Sequence, residues 1–224
     1  ALIADGGMCG FPGSFGALPG ARHVGNPVRS EILKLPPPEE RLGARTGRLR
    51  LLVIGGSQGA SVFNEIVPQA LERVPAAARP EVWHQSGTAG AEPTGQAYRA
   101  AGIAARVSAY IDDMAAAYDW ADVVLCRAGA MTVAELAAAG CPAILVPYPH
   151  AADDHQSRNA RYLAERAAAV WVAQAEFSAE RLSELLAGFG ANRAVLTRMA
   201  VHARACAVPD AADTVAQLCV EVMA

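Results

Sequence analysis

The residues best placed to do chemistry fall in three short constellations. In Cys126-Arg127-Ala128-Gly129-Ala130-Met131-Thr132-Val133-Ala134-Glu135-Leu136, two small residues precede a helical pattern read as carrying Thr132 and Glu135 in its first turn. A carboxylate there can accept hydrogen bonds from a diol such as ribose, beside amides that face a pyrophosphate. The same Thr-x-x-Glu spacing is a capping box, with Glu135 reaching back to the backbone of Thr132, and on spacing alone the cap is the better reading. Arg127, just past an apolar run, could neutralise a phosphate or form a surface ion pair worth under ~1 kcal/mol.

The second constellation is Leu51-Leu52-Val53-Ile54-Gly55-Gly56-Ser57-Gln58-Gly59-Ala60, a strand, a glycine turn and a helix start. Small residues let a backbone approach a phosphate, and a helix N-terminus favours its charge. A tight turn that simply needs glycine fits equally well. A dinucleotide site fits less well. Ser57 stands where G-x-G-x-x-G has its second glycine, and the next strand ends in His84-Gln85 without an acid for a ribose. The third is Pro147-Tyr148-Pro149-His150-Ala151-Ala152-Asp153-Asp154-His155-Gln156. Two histidines and two aspartates suggest a metal, but they crowd one short loop with no fourth ligand in view, so no metal site is expected. A polar loop that hydrogen-bonds sugar hydroxyls, with Gln156 opening a helix, is more economical; the plain role of Asp153 and Asp154 is to cap that helix.

The elements that must position these loops alternate. Short apolar runs read as buried parallel strands at Leu51–Ile54, Val82–His84, Arg106–Ala109, Val123–Cys126, Ala143–Val146 and Ala169–Val172. Helical patterns lie between them, such as Val62, Ile66, Val67, Ala70, Leu71 and Val74 on one face, with Pro68 expected to kink or limit that helix. The expectation is an α/β fold, a Rossmann-like doubly wound parallel sheet with ligands beyond the carboxyl ends of its strands. Ile111-Asp112-Asp113-Met114 and Tyr118-Asp119-Trp120-Ala121-Asp122 read as helix caps and packing. Residues 1–24, rich in Gly, Pro and Phe, read as the trailing edge of a preceding domain, with Gly25-Asn26-Pro27 as linker. Residues 25–208 form the main domain, and 209–224 a final helix with Val215, Leu218, Cys219 and Val222 in an apolar stripe.

The bulk numbers narrow the class. At 224 residues, 53% hydrophobic and 18% charged, the chain can bury a sizeable core. A net charge of −3 argues against a nucleic-acid partner. Five cysteines without paired spacing fit a reducing compartment. No apolar run reaches the ~20 residues that cross a bilayer, and no signal peptide is evident. The chain opens at Ala1 inside a strand-like stretch, which suggests a piece of something longer.

Six segments, taken in order, resemble one family. They are Val24-Gly25-Asn26-Pro27-Val28-Arg29, Gly55-Gly56-Ser57-Gln58-Gly59-Ala60, His84-Gln85-Ser86-Gly87, Tyr110-Ile111-Asp112-Asp113-Met114, the Cys126–Glu135 stretch and the Pro147–Gln156 loop. The family is MurG, the transferases that move N-acetylglucosamine from UDP-N-acetylglucosamine to undecaprenyl-pyrophosphoryl-muramoyl-pentapeptide, and the match runs from about Phe11 to the C-terminus. The resemblance implies one half of a GT-B fold, the donor-binding half, with the final helix crossing back to an N-terminal domain. On matching positions, Arg29 and Ile111 would recognise the uracil end and Glu135 the ribose. Ser57 and the Ala130–Thr132 turn would contact the diphosphate, and Gln156 with backbone near Ala130 and Met131 would hold the sugar. This reverses the preference for a pure cap at Glu135.

The resemblance also implies what lies elsewhere. The family's glycine-rich loop, its proposed histidine base and its lipid-facing surface belong to the N-terminal domain, so no catalytic residue is expected in these 224 residues. The acceptor and the membrane would be met through that other domain, on the cytoplasmic side of the bacterial inner membrane. The segment itself is expected to be soluble, and inactive in isolation. No cofactor is expected. Two other readings stay open: another GT-B nucleotide-sugar enzyme such as an epimerase, or a binding-only module.

Overall fold

The computed structural model describes residues 7–12, 21–56 and 59–223. In chain order the elements are β1 (Gly7–Cys9), β2 (Ala21–His23), α1 (Ser30–Leu33), α2 (Pro38–Gly43), β3 (Arg50–Ile54), α3 (Ser61–Arg73), β4 (Glu81–Gln85), α4 (Ala91–Ala100) and β5 (Ala105–Ser108). Then follow α5 (Met114–Trp120), β6 (Val123–Cys126), α6 (Ala130–Ala139), β7 (Ala143–Leu145), α7 (His155–Ala164), β8 (Ala169–Trp171), α8 (Ala179–Ala191), α9 (Arg193–Ala205) and α10 (Ala211–Met223). Strands β3 to β8 make one parallel sheet in the order β5-β4-β3-β6-β7-β8. Each matches an apolar run of the sequence to within a residue at its ends.

The central strands β6 and β7, and β3 after Arg50, are apolar because helices cover both faces of the sheet. Leu51 and Val53 turn towards a core with Phe63, Leu71, Leu182 and Leu196, whereas Leu52 and Ile54 turn towards one with Tyr118, Leu136 and Leu163. The periodic face of α3 packs as expected, with Phe63 added to it. Pro68 does not limit that helix. α3 runs through it to Arg73, with Pro68 itself buried, because packing against α8 holds the helix together.

The chain switches direction across the sheet between β3 and β6, which pair side by side with Ile54 opposite Cys126. Their two following turns therefore leave the same edge together, at the kind of switch point where doubly wound sheets take ligands. Outside this sheet, β1 and β2 form a small parallel pair, and Phe11 packs on Tyr162 of α7 at 5.0 Å. Gly25 has φ +79°, and a Cβ there would sit 2.6 Å from Val208. The turn before α1 thus lies hard against the start of α10. Among the residues of α10 whose burial is described, only Ala211 is buried: Val215 and Leu218 are half-buried, Cys219 is exposed, and the side chain of Val222 lies outside the description. Among the described residues no helix is long and apolar enough to cross a membrane.

Candidate functional site

The glycine turn after β3 has two kinds of glycine. A Cβ at Gly55 would lie 2.7 Å from the amide of Ala60 and 2.9 Å from the carbonyl of Gln85, and one at Gly59 would strike the carbonyl of Ser86. These two let the turn pack backbone to backbone against the end of β4. Gly56 differs: it has φ +79° and open space where its Cβ would be. Helix α3 then starts at Ser61 with no side-chain cap. Ser57, expected at the diphosphate, lies outside the described residues, as does Gln58.

Helix α6 starts at Ala130, with Gly129 as N-cap and no side-chain cap. Thr132 is therefore in the first turn and Glu135 in the second, so the capping-box reading fails, as does a first-turn place for Glu135. Instead Glu135 Oε1 accepts from Arg29 Nη2 at 3.1 Å and Oε2 from the Tyr118 hydroxyl at 3.0 Å. The first amides of a helix have no intrahelical acceptor. Ala130 and Met131 are exposed beside them, and a Cβ at Gly129 would meet only the Thr132 hydroxyl, at 3.7 Å. An uncapped helix start, a carboxylate and an open surface thus coincide. Burial, with the Glu135 charge adjoining, holds the Tyr118 phenol well above the ordinary range, so it stays a proton donor.

Three elements bring the expected nucleoside end together. α1, α5 and α6 pack on one another, which sets Arg29 (the residue before α1) across from Glu135. Ile111 is buried in the same core as Ile32 and Tyr118, so only its backbone is placed to meet a ligand. Asp113 N-caps α5, accepting from the Ala116 amide at 2.9 Å. A cleft of about 420 Å³ lies here, lined by Arg29, Ile32, Asp112, Met114 and neighbours.

On the other flank of α6, Gln156 does not project freely from α7. Its Oε1 accepts from the Tyr148 amide at 3.0 Å, and the side chain is half-buried. Asp153 and Asp154 adopt left-handed backbone (φ 51° and 53°) and Asp154, the N-cap, makes no side-chain cap, so the capping role expected of them is not taken up. Among the described residues Arg127 does not form the expected surface ion pair. It donates to the carbonyls of Val146 and Pro147 at 3.1 Å and stacks between Phe63 and Tyr148, and burial lowers its pKa. Asn159 of α7 donates to the Ala128 carbonyl at 3.0 Å and ties the two loops together.

Sequence reasoning did not single out Tyr118 or Asn159 as site residues. Each acts on a partner in another element, and neither has a local motif. His84 is excluded as a surface base: it is buried on β4 with Nδ1 on the Tyr98 hydroxyl at 2.9 Å, and burial pulls its pKa down to about 3. Among the described residues no three His, Cys, Asp or Glu side chains converge as a metal site requires. A roomier groove of about 620 Å³ runs between α3 and α4, away from Glu135.

Comparison with known proteins agrees with this geometry. The sheet and its helices overlay the crystal structure of MurG from Acinetobacter baumannii with a TM-score of 0.77 and 39% identity, over 84% of this chain and 54% of that one. The UDP-GlcNAc 2-epimerase of Neisseria meningitidis, at TM-score 0.54 and 7% identity over 82% and 47%, shares the fold alone. The fold is that of one half of a GT-B glycosyltransferase. Residues 50–215 match the glycosyltransferase family 28 C-terminal domain, and the chain belongs to that family. Two relatives are named UDP-N-acetylglucosamine--N-acetylmuramyl-(pentapeptide) pyrophosphoryl-undecaprenol N-acetylglucosamine transferase. That of Marinobacter nauticus is 50% identical over 94% of this chain and 58% of its own length. That of Ralstonia nicotianae is 50% identical over 98% and 60%. The chain thus spans about 60% of the length of the curated relatives it matches.

Proposed function

We propose that this chain binds UDP-N-acetylglucosamine and supplies the donor half of a transferase that moves N-acetylglucosamine to undecaprenyl-pyrophosphoryl-muramoyl-pentapeptide. The observation that carries the reading is Glu135, held between Arg29 and Tyr118 beside the uncapped start of α6. Glu135 takes the ribose diol, Arg29 and the backbone at Ile111 the uracil, and Ser57 with the Ala130–Thr132 turn the diphosphate. Gln156 and the backbone near Ala130 and Met131 hold the sugar.

In the transfer, the muramoyl hydroxyl oxygen bonds to C1 of the sugar from the face opposite UDP. The C1–oxygen bond to the diphosphate breaks, and the hydroxyl proton passes to a base. Negative charge grows on the departing diphosphate, where the amides of α6 and the helix dipole favour it. The base, the acceptor site and the membrane-facing surface belong to the remaining part of such a protein, on the cytoplasmic face of the inner membrane. Of residues 1–24, those described belong in this reading to the edge of that part, with 25–208 the donor domain and 209–224 a helix that returns to it.

Calorimetry with UDP tests the reading: Glu135→Ala should weaken binding by ~1–3 kcal/mol, as for a lost hydrogen bond to a charged group. Unchanged affinity in a folded variant would sink the ribose role. Binding should also survive EDTA; a loss on chelation that manganese restores would mean that the Asp153–His155 loop holds a metal. Positioning of acceptor and base accounts for ~7–11 kcal/mol of such barriers. These 224 residues should therefore show no turnover with labelled donor and a lipid acceptor until the remaining domain is fused or added. Transfer by the chain alone would place the base within it, with His150 and His155 first to be tested.

A further inference from the structure

The two oxygens of Glu135 have unlike partners. Oε1 meets Arg29, whose side chain is 52% exposed and lies at the mouth of the cleft. Oε2 meets Tyr118, which is fully buried under α6. The phenol sits in a core with Ala117, Leu136 and Ile111, and its own backbone carbonyl accepts from buried Arg41 at 2.8 Å. Its helix is therefore fastened at the end of the sheet away from the cleft. One carboxylate oxygen is anchored to a rigid interior, and the other is left with an exchangeable surface partner.

We propose that Tyr118 is a positioning residue for nucleoside recognition: by holding Oε2 inward it fixes the carboxylate plane so that Oε1 receives the ribose hydroxyls, Arg29 being the partner that yields. This rests on the nucleotide-sugar reading above. Without the phenol, the Glu135 carboxylate turns about its last bond and must be ordered by the ligand itself. A carboxylate accepts through both oxygens, so a bond that holds one of them restrains the direction in which the other accepts. Burial of the phenol, which keeps it protonated, makes the anchor a permanent donor.

The test compares UDP with 2′-deoxy-UDP on the 224-residue chain by calorimetry. The wild type should prefer UDP by about tenfold, a hydroxyl bond to a charged group being worth at least that. Tyr118→Phe should bring the ratio close to one while 2′-deoxy-UDP binds nearly as before. Tyr98→Phe is the control, since it removes an equally buried hydroxyl that faces His84 instead. It should melt lower but keep the wild-type ratio. If Tyr118→Phe does not fold, Tyr118→Met, which lacks the hydroxyl but adapts to the space, takes its place. A ratio unchanged in the folded Tyr118 variant overturns the positioning role while leaving the ribose role of Glu135 intact. Equal affinity of the wild type for both nucleotides overturns that ribose role and this proposal with it. Loss of the ratio in Tyr98→Phe as well would reduce the effect to general loosening and overturn the proposal too.

Discussion

At the amino edge of the sheet Arg41 is 7% exposed and donates to four backbone carbonyls, those of Tyr118, Ala121, Ala139 and Gly140, where α5 and α6 end. Asp122 beside it is 2% exposed and meets Arg45, Arg193 and the amide of Arg50. At the carboxyl edge the same helix α6 begins without a cap, and the Arg29–Glu135 pair keeps its arginine half in solvent. Both edges use guanidinium, carboxylate and helix termini. At one they are buried against each other, matching cation to helix C-terminus; at the other they retain capacity for something else. The difference shows where the molecule is fastened and where it can bind.

The contrast makes a graded set of predictions. Arg41→Met should have the largest effect, about 3–5 kcal/mol lost in urea unfolding, because carbonyls buried around the guanidinium lose their donors. A loss under 1 kcal/mol would remove the distinction between the two edges. Next is the His84–Tyr98 pair inside the α3–α4 layer. The folded pKa of His84 is pulled below its unfolded value, so the unfolded chain binds the extra proton. The stability is complete above about pH 6.5 and falls with acidification towards pH 3. The slope should be about 1 kcal/mol per pH unit, and urea melts at several pH values should show it lost in His84→Asn.

Glu135→Gln should then change stability by less than about 0.5 kcal/mol, since the amide oxygen still accepts from Tyr118, while UDP affinity falls. A stability loss like that of Arg41→Met would show that the carboxyl edge is fastened too. The smallest effect belongs to the exposed Glu92–Arg99 pair, whose side chains are 72% and 65% exposed. Glu92→Gln should stay within about 0.5 kcal/mol by thermal melting and sets the scale for the rest.

Strand and helix placement was legible because it rests on short-range pattern. Runs such as Val123–Cys126 are buried on both faces whatever their neighbours, and glycine turns mark where they end. Even so, the limit expected at Pro68 is not imposed, because the local rule for proline takes no account of packing against α8. The capping box misled for a related reason: Thr132 and Glu135 have the right spacing, but spacing does not say where a helix begins, and α6 begins at Ala130.

From sequence alone the order of elements, the parallel α/β class and the loops at the carboxyl edge could be derived, because all three follow from local periodicity and from the need to cover a sheet on both faces. Whether Glu135 would serve a cap or a ligand could not. Its partners stand 17 and 106 residues away along the chain, on α5 and just before α1. No propensity reaches that far, so only the packing of α1, α5 and α6 decides which way its oxygens face. The same holds for Arg127, whose position past a strand left a phosphate and a surface ion pair both open. Its partners are carbonyls of the adjoining β7 end, brought within 3.1 Å by the sheet itself.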